Sequence, residues 1–247
     1  MIVVPAIDVR GGKVVRLKKG RLREETVYGT DPVEAARRWE AEGASRLHIV
    51  DLDAAIEGTP QADVVGAVIE AVRIPVEVGG GLRVLENAMR YKNCGADRVV
   101  FGTAAVARPG VVQEAVRLWP ESVAVAIEAR GGTVTVAGWN EVTTILVLEL
   151  AAKVKAWGVP RIEYTDVVRD GASVAPNLAG IEELARAVPL KITAAGGIST
   201  LEDLRKLARL ASLGVDEVVV GKALYDGRFT LAEAQKAVEP APEASGA

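Results

Sequence analysis

The chain has 247 residues, 49% of them apolar, and its 30 basic and 33 acidic residues leave a net charge of -3. This length is typical of a single α/β barrel, and the balanced charge argues against a nucleic-acid-binding surface. No apolar stretch approaches the roughly 18 residues of a membrane span, and the first residues lack a basic leader. The chain has a single cysteine, Cys94, for which we expect a packing role. We expect a cytoplasmic protein that binds neither nucleic acid nor membrane.

Short β-branched segments alternate with amphipathic helical patterns along the chain. The predicted strands are Ile2–Ile7, Arg46–Val50, Val76–Val78, Arg98–Phe101, Val123–Ile127, Arg161–Tyr164, Lys191–Thr193 and Glu217–Val220. The helical patterns that follow them are Pro32–Glu42 with Asp31 as its cap, Gln61–Val72, Leu85–Asn93, Pro109–Trp119, Thr144–Trp157, Leu178–Ala187, Leu201–Leu210 and Leu231–Val238. Apolar strands of this kind belong in a parallel sheet covered by helices. The pattern predicts a closed (β/α)8 TIM barrel over residues 1–240, followed by a flexible tail at 241–247.

Internal repetition favours a closed barrel over an open doubly wound sheet. Three pairs of segments match at an offset of almost half the chain: Ala6–Gly12 with Ala126–Gly132, Gly80–Leu82 with Gly196–Ile198, and Gly95–Ala104 with Gly214–Ala223. Two repeated half-barrels related by a twofold axis make a complete ring. The open sheet would place a glycine-rich turn and a helix directly after the first strand. Here a hairpin-like pattern follows it, with a basic run, 16–23, that we expect in a solvated loop.

Functional residues of such a barrel lie at the carboxyl ends of its strands. Four glycine turns stand there, and the repeat groups them in two pairs on opposite sides of the mouth. We call Gly80, Gly81, Gly102 and Thr103 the first cradle, and Gly196, Gly197, Gly221 and Lys222 the second cradle. Turn N–H groups and helix N-termini there can bind anions, so the layout predicts a ligand with a phosphate at each end. The alternative is that the glycines only permit tight turns.

Two acids, Asp8 and Glu128, occupy equivalent positions in the repeat and should face each other across the barrel axis. Paired carboxyl groups suit general acid and general base catalysis. The alternative is a pair of inward polar residues in ion pairs with strand neighbours. Asp51, Asp53 and Asp166 also follow strands. The only histidine, His48, is expected to be a hydrogen-bonded wall residue, and we expect neither a metal site nor a Cys–His pair.

The chain resembles the phosphoribosyl-formimino-AICAR-phosphate (ProFAR) isomerases of histidine biosynthesis over nearly its whole length. The motifs that carry this resemblance are Pro5-Ala-Ile-Asp8, Gly12-Lys-Val-Val-Arg16-Leu, Val50-Asp-Leu-Asp53, Gly79-Gly-Gly-Leu-Arg83, Gly102-Thr-Ala-Ala, Gly138-Trp139, Thr165-Asp166, Arg169-Asp-Gly171, Pro176-Asn177, Ala195-Gly-Gly-Ile-Ser199 and Gly221-Lys-Ala-Leu-Tyr225. The related cyclase shares the duplicated barrel, but it typically has a lysine in the first-strand motif and a serine after the threonine of strand 6. Arg16 and Thr165-Asp166 therefore favour the isomerase.

The resemblance implies an Amadori rearrangement, in which an aminoaldose becomes an aminoketose without a cofactor. By the family's pattern Asp8 would be the base at C2, the acid that ends strand 5 would protonate the ring oxygen, and Thr165 would assist by hydrogen bonding. Asp170 has the acid role in some members. Trp139 would stack on the flat imidazole carboxamide; a loop tryptophan that caps the mouth is the alternative. Further substrate contacts would come from Arg16, Arg83, Gly171 and both cradles, although surface ion pairs are the alternative for the two arginines.

The sequence departs from the family's pattern at two places. The acid of strand 5 is normally an aspartate, whereas this chain has Glu128, and a displacement of about 1 Å in a catalytic group can cost on the order of 10²-fold in rate. Members that also isomerise phosphoribosyl anthranilate have an arginine two residues before the tryptophan of Gly138-Trp139, where this chain has Ala137. The sequence therefore does not predict this second activity.

Two other functions compete with the isomerase. The first is an engineered or diverged barrel in which Glu128 is a carboxylate base for another reaction. The second is a non-catalytic phosphate-binding barrel, although acids between two phosphate sites would repel its ligand. For the isomerase we expect a monomer with a small bis-phosphate substrate, and loops at 10–30 and 130–142 that are long enough to act as lids.

Overall fold

A computed structural model describes residues 1–18, 21–139, 141–171 and 174–239. The tail predicted at 241–247 lies outside these residues. The strands are β1 (Ile2–Arg10), β2 (Lys13–Lys18), β3 (Arg21–Gly29), β4 (Leu47–Asp51), β5 (Val76–Gly79), β6 (Arg98–Phe101), β7 (Val123–Arg130), β8 (Thr133–Val136), β9 (Glu141–Leu146), β10 (Arg161–Asp166), β11 (Lys191–Ala195) and β12 (Val215–Val220). The helices are α1 (Pro32–Ala41), α2 (Leu52–Glu57), α3 (Ala62–Ala71), α4 (Leu85–Asn93), α5 (Ala104–Ala107), α6 (Pro109–Leu118), α7 (Val147–Ala156), α8 (Leu178–Ala187), α9 (Leu201–Ala208), α10 (Lys222–Tyr225) and α11 (Leu231–Val238), with a 3-10 turn at Ala211–Leu213.

Parallel pairing closes the predicted barrel. The strands follow the order β1, β4, β5, β6, β7, β10, β11, β12, and β12 pairs again with β1. Each is buried on both faces, since side chains fill the interior on one side and helices cover the other. Asp31 caps α1 as predicted, because its carboxylate accepts from the N–H of Val33 at 2.8 Å. The (β/α)8 TIM barrel is therefore confirmed, and none of the described helices has the length and apolar character to cross a bilayer.

The half-barrel repeat includes a hairpin extension after barrel strands 1 and 5. β2 returns antiparallel to β1, and β8 returns antiparallel to β7. Each turn is a Gly-Gly pair with positive φ at both residues, 53° and 71° at Gly11 and Gly12 and 59° and 81° at Gly131 and Gly132. Both central residues of a type I′ hairpin turn need this backbone region. The hairpin-like pattern after the first strand is therefore confirmed.

Two predictions about these extensions are wrong. The helix expected from Thr144 begins at Val147, because residues 141–146 form β9 on the edge of β8. Its β-branched run Val142-Thr-Thr-Ile145 favours an extended strand, and strand pairing outweighs the helical spacing there. The basic run 16–23 was expected in a solvated loop, but its described residues belong to β2 and β3.

A charged network fills the barrel interior below the mouth. His48 Nδ1 forms a hydrogen bond of 2.8 Å with Glu77 Oε1, as expected for a hydrogen-bonded wall residue. Arg98 donates to Glu77 at 2.6 Å and to Glu217 at 2.9 Å. Burial opposes the charge on His48, but Glu163 and Glu77 outweigh it and raise the pKa of His48 to about 9. Burial also opposes the charge on Glu77, yet His48 and Arg98 lower its pKa to about 2. The interior is thus an ion-pair core rather than an apolar plug.

The expectation that no metal constellation could form needs a correction. His48, Glu77 and Glu163 place ligand atoms within 4.8 Å of one another. The sequence does not reveal this cluster, because the three residues come from separate strands with no ligand-like spacing. The guanidinium of Arg98 and the protonated imidazole already supply positive charge to these carboxylates, and a cationic imidazole is not a metal ligand. The cluster fits a structural ion network better than a metal site.

The half-barrel repeat is also visible in this charged network, because the two halves contain matching ion pairs. Arg46 contacts Asp97 at 2.6 Å, and Arg161 contacts Asp216 at 2.5 Å. Asp97 and Asp216 occupy matching positions in the Gly95 and Gly214 segments. Arg46 directly precedes β4 and Arg161 begins β10, the second and sixth strands of the barrel. Glu217 accepts from Arg98 at 2.9 Å and lies 3.2 Å from Arg161. The two halves are therefore joined through buried charges at the centre of the barrel.

Candidate active site

The barrel mouth, at the carboxyl ends of its strands, brings the two predicted acids to opposite sides. Asp8 lies near the end of β1 and Glu128 near the end of β7, and three barrel strands separate them in either direction around the ring. In the strand registers Asp8 lies beside Val50, and Glu128 lies beside Thr165. The mouth is thus symmetric in its acids, but in the strand registers Glu128 lies beside a threonine whereas Asp8 lies beside a valine.

Asp8 is paired with a cation. Arg16 Nη1 donates to Asp8 Oδ2 at 2.7 Å, and Arg16 Nη2 donates to the carbonyl of Ala6 at 3.0 Å. The two side chains are only 12% and 17% exposed. Asp8 Oδ1 and Arg16 Nε are buried and have no hydrogen-bond partner within the described ranges. The pair is therefore close but incompletely satisfied, which leaves one acceptor and one donor available to a ligand.

Glu128 has a different environment. It is half-buried, and the indole of Trp139 interacts with its carboxylate in a way that favours the charged form. Burial raises the pKa of Glu128 to about 7, with further contributions from the negative charges of Glu163 and Asp170, whereas the Trp139 hydrogen bond acts in the opposite direction. No arginine or lysine among the described residues pairs with it. The two acids, equivalent by repeat, therefore differ in charge partners, as an acid and a base in one site require.

Trp139 reaches Glu128 from a strained backbone position. Trp139 has φ of 71° and Ala137 has φ of 55°, a region that costs non-glycine residues roughly 1–2 kcal/mol. The hydrogen bonds that hold this loop include one from Ala137 N–H to Thr103 Oγ1 at 3.0 Å and one from Arg130 Nη2 to the Trp139 carbonyl at 3.4 Å. This backbone conformation brings the indole to Glu128, a predicted catalytic acid. Stacking of the indole on a substrate stays a prediction.

The remaining predicted catalytic residues lie next to these two acids. Thr165 is 7% exposed and occupies the strand position beside Glu128. Asp170 follows β10, and burial together with the charge of Asp8 raises its pKa to about 6, although Arg16 opposes the shift. Its Cβ lies near Gly196, where an added methyl group would come within 3.4 Å. Asp170 therefore lies between the acids and the second cradle.

Two glycines of the first cradle, Gly80 and Gly81, have a packing role. Gly80 and Gly81 have φ of 100° and 64°, and a Cβ there would lie 2.3 Å from the Asp51 carbonyl oxygen and 2.4 Å from the Ala54 backbone. The turn therefore needs glycine with or without a ligand. Gly102 has open space around it, and Thr103 accepts from Ala137. The helix that follows, α5, has only four residues, so turn N–H groups rather than a long helix dipole face the mouth.

The second cradle forms a pocket at the mouth. Its lining includes Asp170, Gly171, Gly196, Gly197, Gly221 and Lys222. A Cβ on Gly197 would lie 2.9 Å from the Val174 carbonyl oxygen, and a Cβ on Gly221 would lie 1.9 Å from Arg16 Nη2. Lys222 forms a short ion pair with Asp226, whose other oxygen accepts from Tyr28 at 2.7 Å. The pocket is therefore lined by glycines, with Arg16 and Lys222 as its neighbouring cations.

Other acids at strand ends and one arginine lie outside this arrangement. Asp51 is fully buried and accepts from Ala54 N–H and from the Tyr91 hydroxyl at 2.6 Å, so it supports α2. Asp53 accepts from Gly11 N–H at 2.8 Å and thereby fixes the first hairpin. Arg83 is exposed and donates to the Ala55 carbonyl at 2.6 Å. Position at a strand end alone does not separate such structural residues from functional ones.

Sequence reasoning gave no site role to three residues around the second cradle, Tyr28, Tyr225 and Asp226. Tyr225 lies under Arg16, with the guanidinium carbon 5.8 Å from its ring centroid, and it also contacts Tyr28 and Trp39. Asp226 connects Lys222 with Tyr28. The motif Gly221–Tyr225 pointed to this region, but Tyr28 is on β3, almost 200 positions away, and no local pattern indicates that contact.

The chain is similar to known proteins over nearly its whole length. The family model described as histidine biosynthesis protein matches residues 2–230. A protein of Desulforudis audaxviator is 48% identical over 95% of this chain and 90% of its own length. Relatives from Moorella thermoacetica and Synechocystis are 47% and 46% identical and are covered over 97% and 93% of their lengths. Each is named 1-(5-phosphoribosyl)-5-((5-phosphoribosylamino)methylideneamino) imidazole-4-carboxamide isomerase.

Proposed function

Because this chain belongs to the histidine biosynthesis protein family, we propose that it is the aldose–ketose isomerase that converts ProFAR by an Amadori rearrangement. The names of its relatives favour this function over a barrel diverged to another reaction and over a non-catalytic phosphate-binding protein. The observation that carries the proposal is the pair of opposed acids at one mouth, one with a guanidinium partner and one without.

The reaction needs a proton at the ring oxygen and the loss of a proton from C2. Glu128, with a pKa of about 7, is available in its protonated form near neutral pH and donates to the ring oxygen as the ring opens. Asp8, on the opposite side of the mouth, then removes the C2 proton. Thr165, beside Glu128 in the strand register, stabilises the developing charge through its hydroxyl group.

Asp170 is the competing candidate for the acid. Its pKa of about 6 also leaves a protonated fraction near neutral pH, and it borders the second cradle. Trp139, already over the mouth, supplies an aromatic face for the imidazole carboxamide. The two cradles, with Gly171 at the edge of the second, bind the two phosphates at opposite sides of the mouth. All of these groups come from one chain, so we expect a monomer in the cytoplasm.

The acid assignment is tested by comparing the unchanged chain with Glu128→Asp, Glu128→Gln and Asp170→Asn. ProFAR turnover by the unchanged chain supports the activity. If Glu128 is the acid, Glu128→Gln lowers kcat by about 10²-fold or more, in the range typical of general acid catalysis, and Glu128→Asp retains more activity than Glu128→Gln. A larger loss in Asp170→Asn would move the acid role to Asp170. If neither the unchanged chain nor Glu128→Asp converts ProFAR, the proposed function is wrong.

A further inference from the structure

Arg16 touches both the acid Asp8 and the second cradle. Its Nη1 donates to Asp8 at 2.7 Å, while its Nη2 lies so close to Gly221 that an added Cβ would stand 1.9 Å from it. Gly221 lines the pocket of the second cradle. The guanidinium thus lies in the space that a side chain at position 221 would occupy. One cation is shared between a catalytic acid and an anion site.

The contacts of Arg16 leave room for a second anion. Its Nε is buried without a hydrogen-bond partner in the described parts of the chain, and so is Asp8 Oδ1. Arginine presents donors in a planar fork that matches a phosphate group with two parallel hydrogen bonds. A phosphate carries more negative charge at neutral pH than one carboxylate does. A phosphate at Gly221 would therefore compete effectively with Asp8 for this guanidinium.

The second cation of the cradle is held in the same manner. Lys222 pairs with Asp226, and Asp226 also accepts from Tyr28 at 2.7 Å. Tyr28 is on β3, the return strand of the hairpin that carries Arg16 on β2. The ring of Tyr225 packs between these groups, 5.0 Å from the ring of Tyr28 and 5.8 Å from Arg16. Both cations beside the cradle are thus bound to carboxylates that a phosphate can displace.

We propose that Arg16 is a positioning residue that holds Asp8 until the substrate phosphate enters the second cradle and draws the guanidinium away from it. Asp8 is then released to accept the C2 proton. The inference rests on the proposed isomerase function and adds to it a trigger: phosphate binding contributes to kcat and not only to KM. Sugars without that phosphate meet an acid that is still bound to Arg16, which protects them from unproductive proton transfer.

A structure of the full chain with inorganic phosphate tests the displacement directly. We expect phosphate in the second cradle, contacts from Arg16 to its oxygens, and separation of Arg16 Nη1 from Asp8 Oδ2 beyond hydrogen-bond distance. Phosphate bound there with the Arg16–Asp8 pair intact overturns the proposal, and so does a cradle that stays empty at saturating phosphate. This readout does not depend on turnover, so it is informative even if ProFAR is not the substrate.

A kinetic test uses ProFAR analogues that lack one phosphate, with phosphite dianion added in its place. For the analogue whose missing phosphate belongs in the second cradle, phosphite should raise kcat of the unchanged chain by about tenfold or more, and that of Arg16→Met by less than about twofold. Arg16→Lys, which keeps the charge without the fork, should give an intermediate activation. Lys222→Met is the matched comparison, because it removes a cation from the same cradle without releasing Asp8.

The comparison variants separate the possible outcomes. Lys222→Met should need more phosphite but reach the activation of the unchanged chain. Equal activation in Arg16→Met and in the unchanged chain refutes the trigger, and melting curves establish that the variant is folded. If Arg16→Met does not fold, the phosphate-bound structure of the unchanged chain still decides. Failure of the unchanged chain to convert ProFAR itself would instead count against the proposed function.

Discussion

Replacement of Trp139 by phenylalanine should shift the pH dependence of turnover toward higher pH. The interaction of the indole N–H with the Glu128 carboxylate favours the charged form and so lowers the pKa of Glu128. Phenylalanine keeps an aromatic face over the mouth but removes the donor. If protonated Glu128 is the acid, its loss of a proton makes kcat/KM fall at high pH. Trp139→Phe should move this falling limb of the pH profile to higher pH.

The size of the shift follows from the environment of Glu128. A carboxyl group with its ordinary pKa of 4.5 would be about 0.3% protonated at pH 7, whereas one at about 7 is about half protonated, roughly 150-fold more. A hydrogen bond to a charged group contributes about 1.5–3 kcal/mol, and we use the lower end because Glu128 is only half-buried. The midpoint of the falling limb should therefore move from about pH 7 to about pH 8.

The assay is kcat/KM for ProFAR between pH 5 and 10 for the unchanged chain, Trp139→Phe and Trp157→Phe. Trp157 directly follows α7 and packs against the hydrophobic core, so its replacement is a matched control that should leave the limb in place. A limb near pH 7 that stays there in Trp139→Phe would show that the titrating group does not contact the indole. A shift to lower pH would contradict the sign of the hydrogen-bond effect and remove Glu128 from the acid role.

Other predictions concern folding. Gly80→Ala should lower the free energy of unfolding by about 2–4 kcal/mol in urea titrations, because the new methyl group meets the Asp51 carbonyl at a φ of 100°. The control is Gly110→Ala, in open space in the first turn of α6, which should be neutral or stabilising by up to about 1 kcal/mol. Equal losses of stability in the two variants would refute the close approach at Gly80. The unfolding free energy should also fall as pH rises from 6.5 to 9, since the pKa of His48 is raised to about 9 and its contribution is present below the unfolded value and lost above the folded one. His48→Gln should flatten that fall, and an unchanged slope would place the titration elsewhere. On the acid side the lowered pKa of Glu77, about 2, predicts a contribution that is present above about 4.5 and lost toward pH 2, and Glu77→Gln should reduce the loss of stability over that window.

The sequence predicts the barrel well because its signal is local and repeated. Each short apolar strand and each amphipathic helix can be recognised alone, and the matches between Ala6–Gly12 and Ala126–Gly132 indicate how the halves combine. The error at Thr144 has a physical origin, since Thr144–Leu146 satisfies a helical spacing but gains more from pairing with β8. A local pattern cannot register a partner strand that lies in another part of the chain.

The candidate site is also predictable only in part: the sequence indicates where its residues lie but not what surrounds them. The positions of Asp8, Glu128 and the glycine turns follow from strand ends and the repeat, and the structure places them at the mouth. Their environments do not follow from the sequence: the Arg16–Asp8 pair, the indole on Glu128 and the Tyr28–Asp226 contact depend on side-chain directions across the ring. These contacts set the surroundings of each acid, so chemical roles need the three-dimensional arrangement even when positions do not.

The ion pair between Arg98 and Glu217 has an implication for the history of the two halves. The two residues occupy the same position in the repeated segments, yet one is positive, the other negative, and they meet at 2.9 Å inside the barrel. Two copies of the first half would bring arginine against arginine there, and two copies of the second would bring glutamate against glutamate. Buried like charges without partners are strongly unfavourable. The halves are therefore no longer interchangeable, because each has become the specific counterpart of the other.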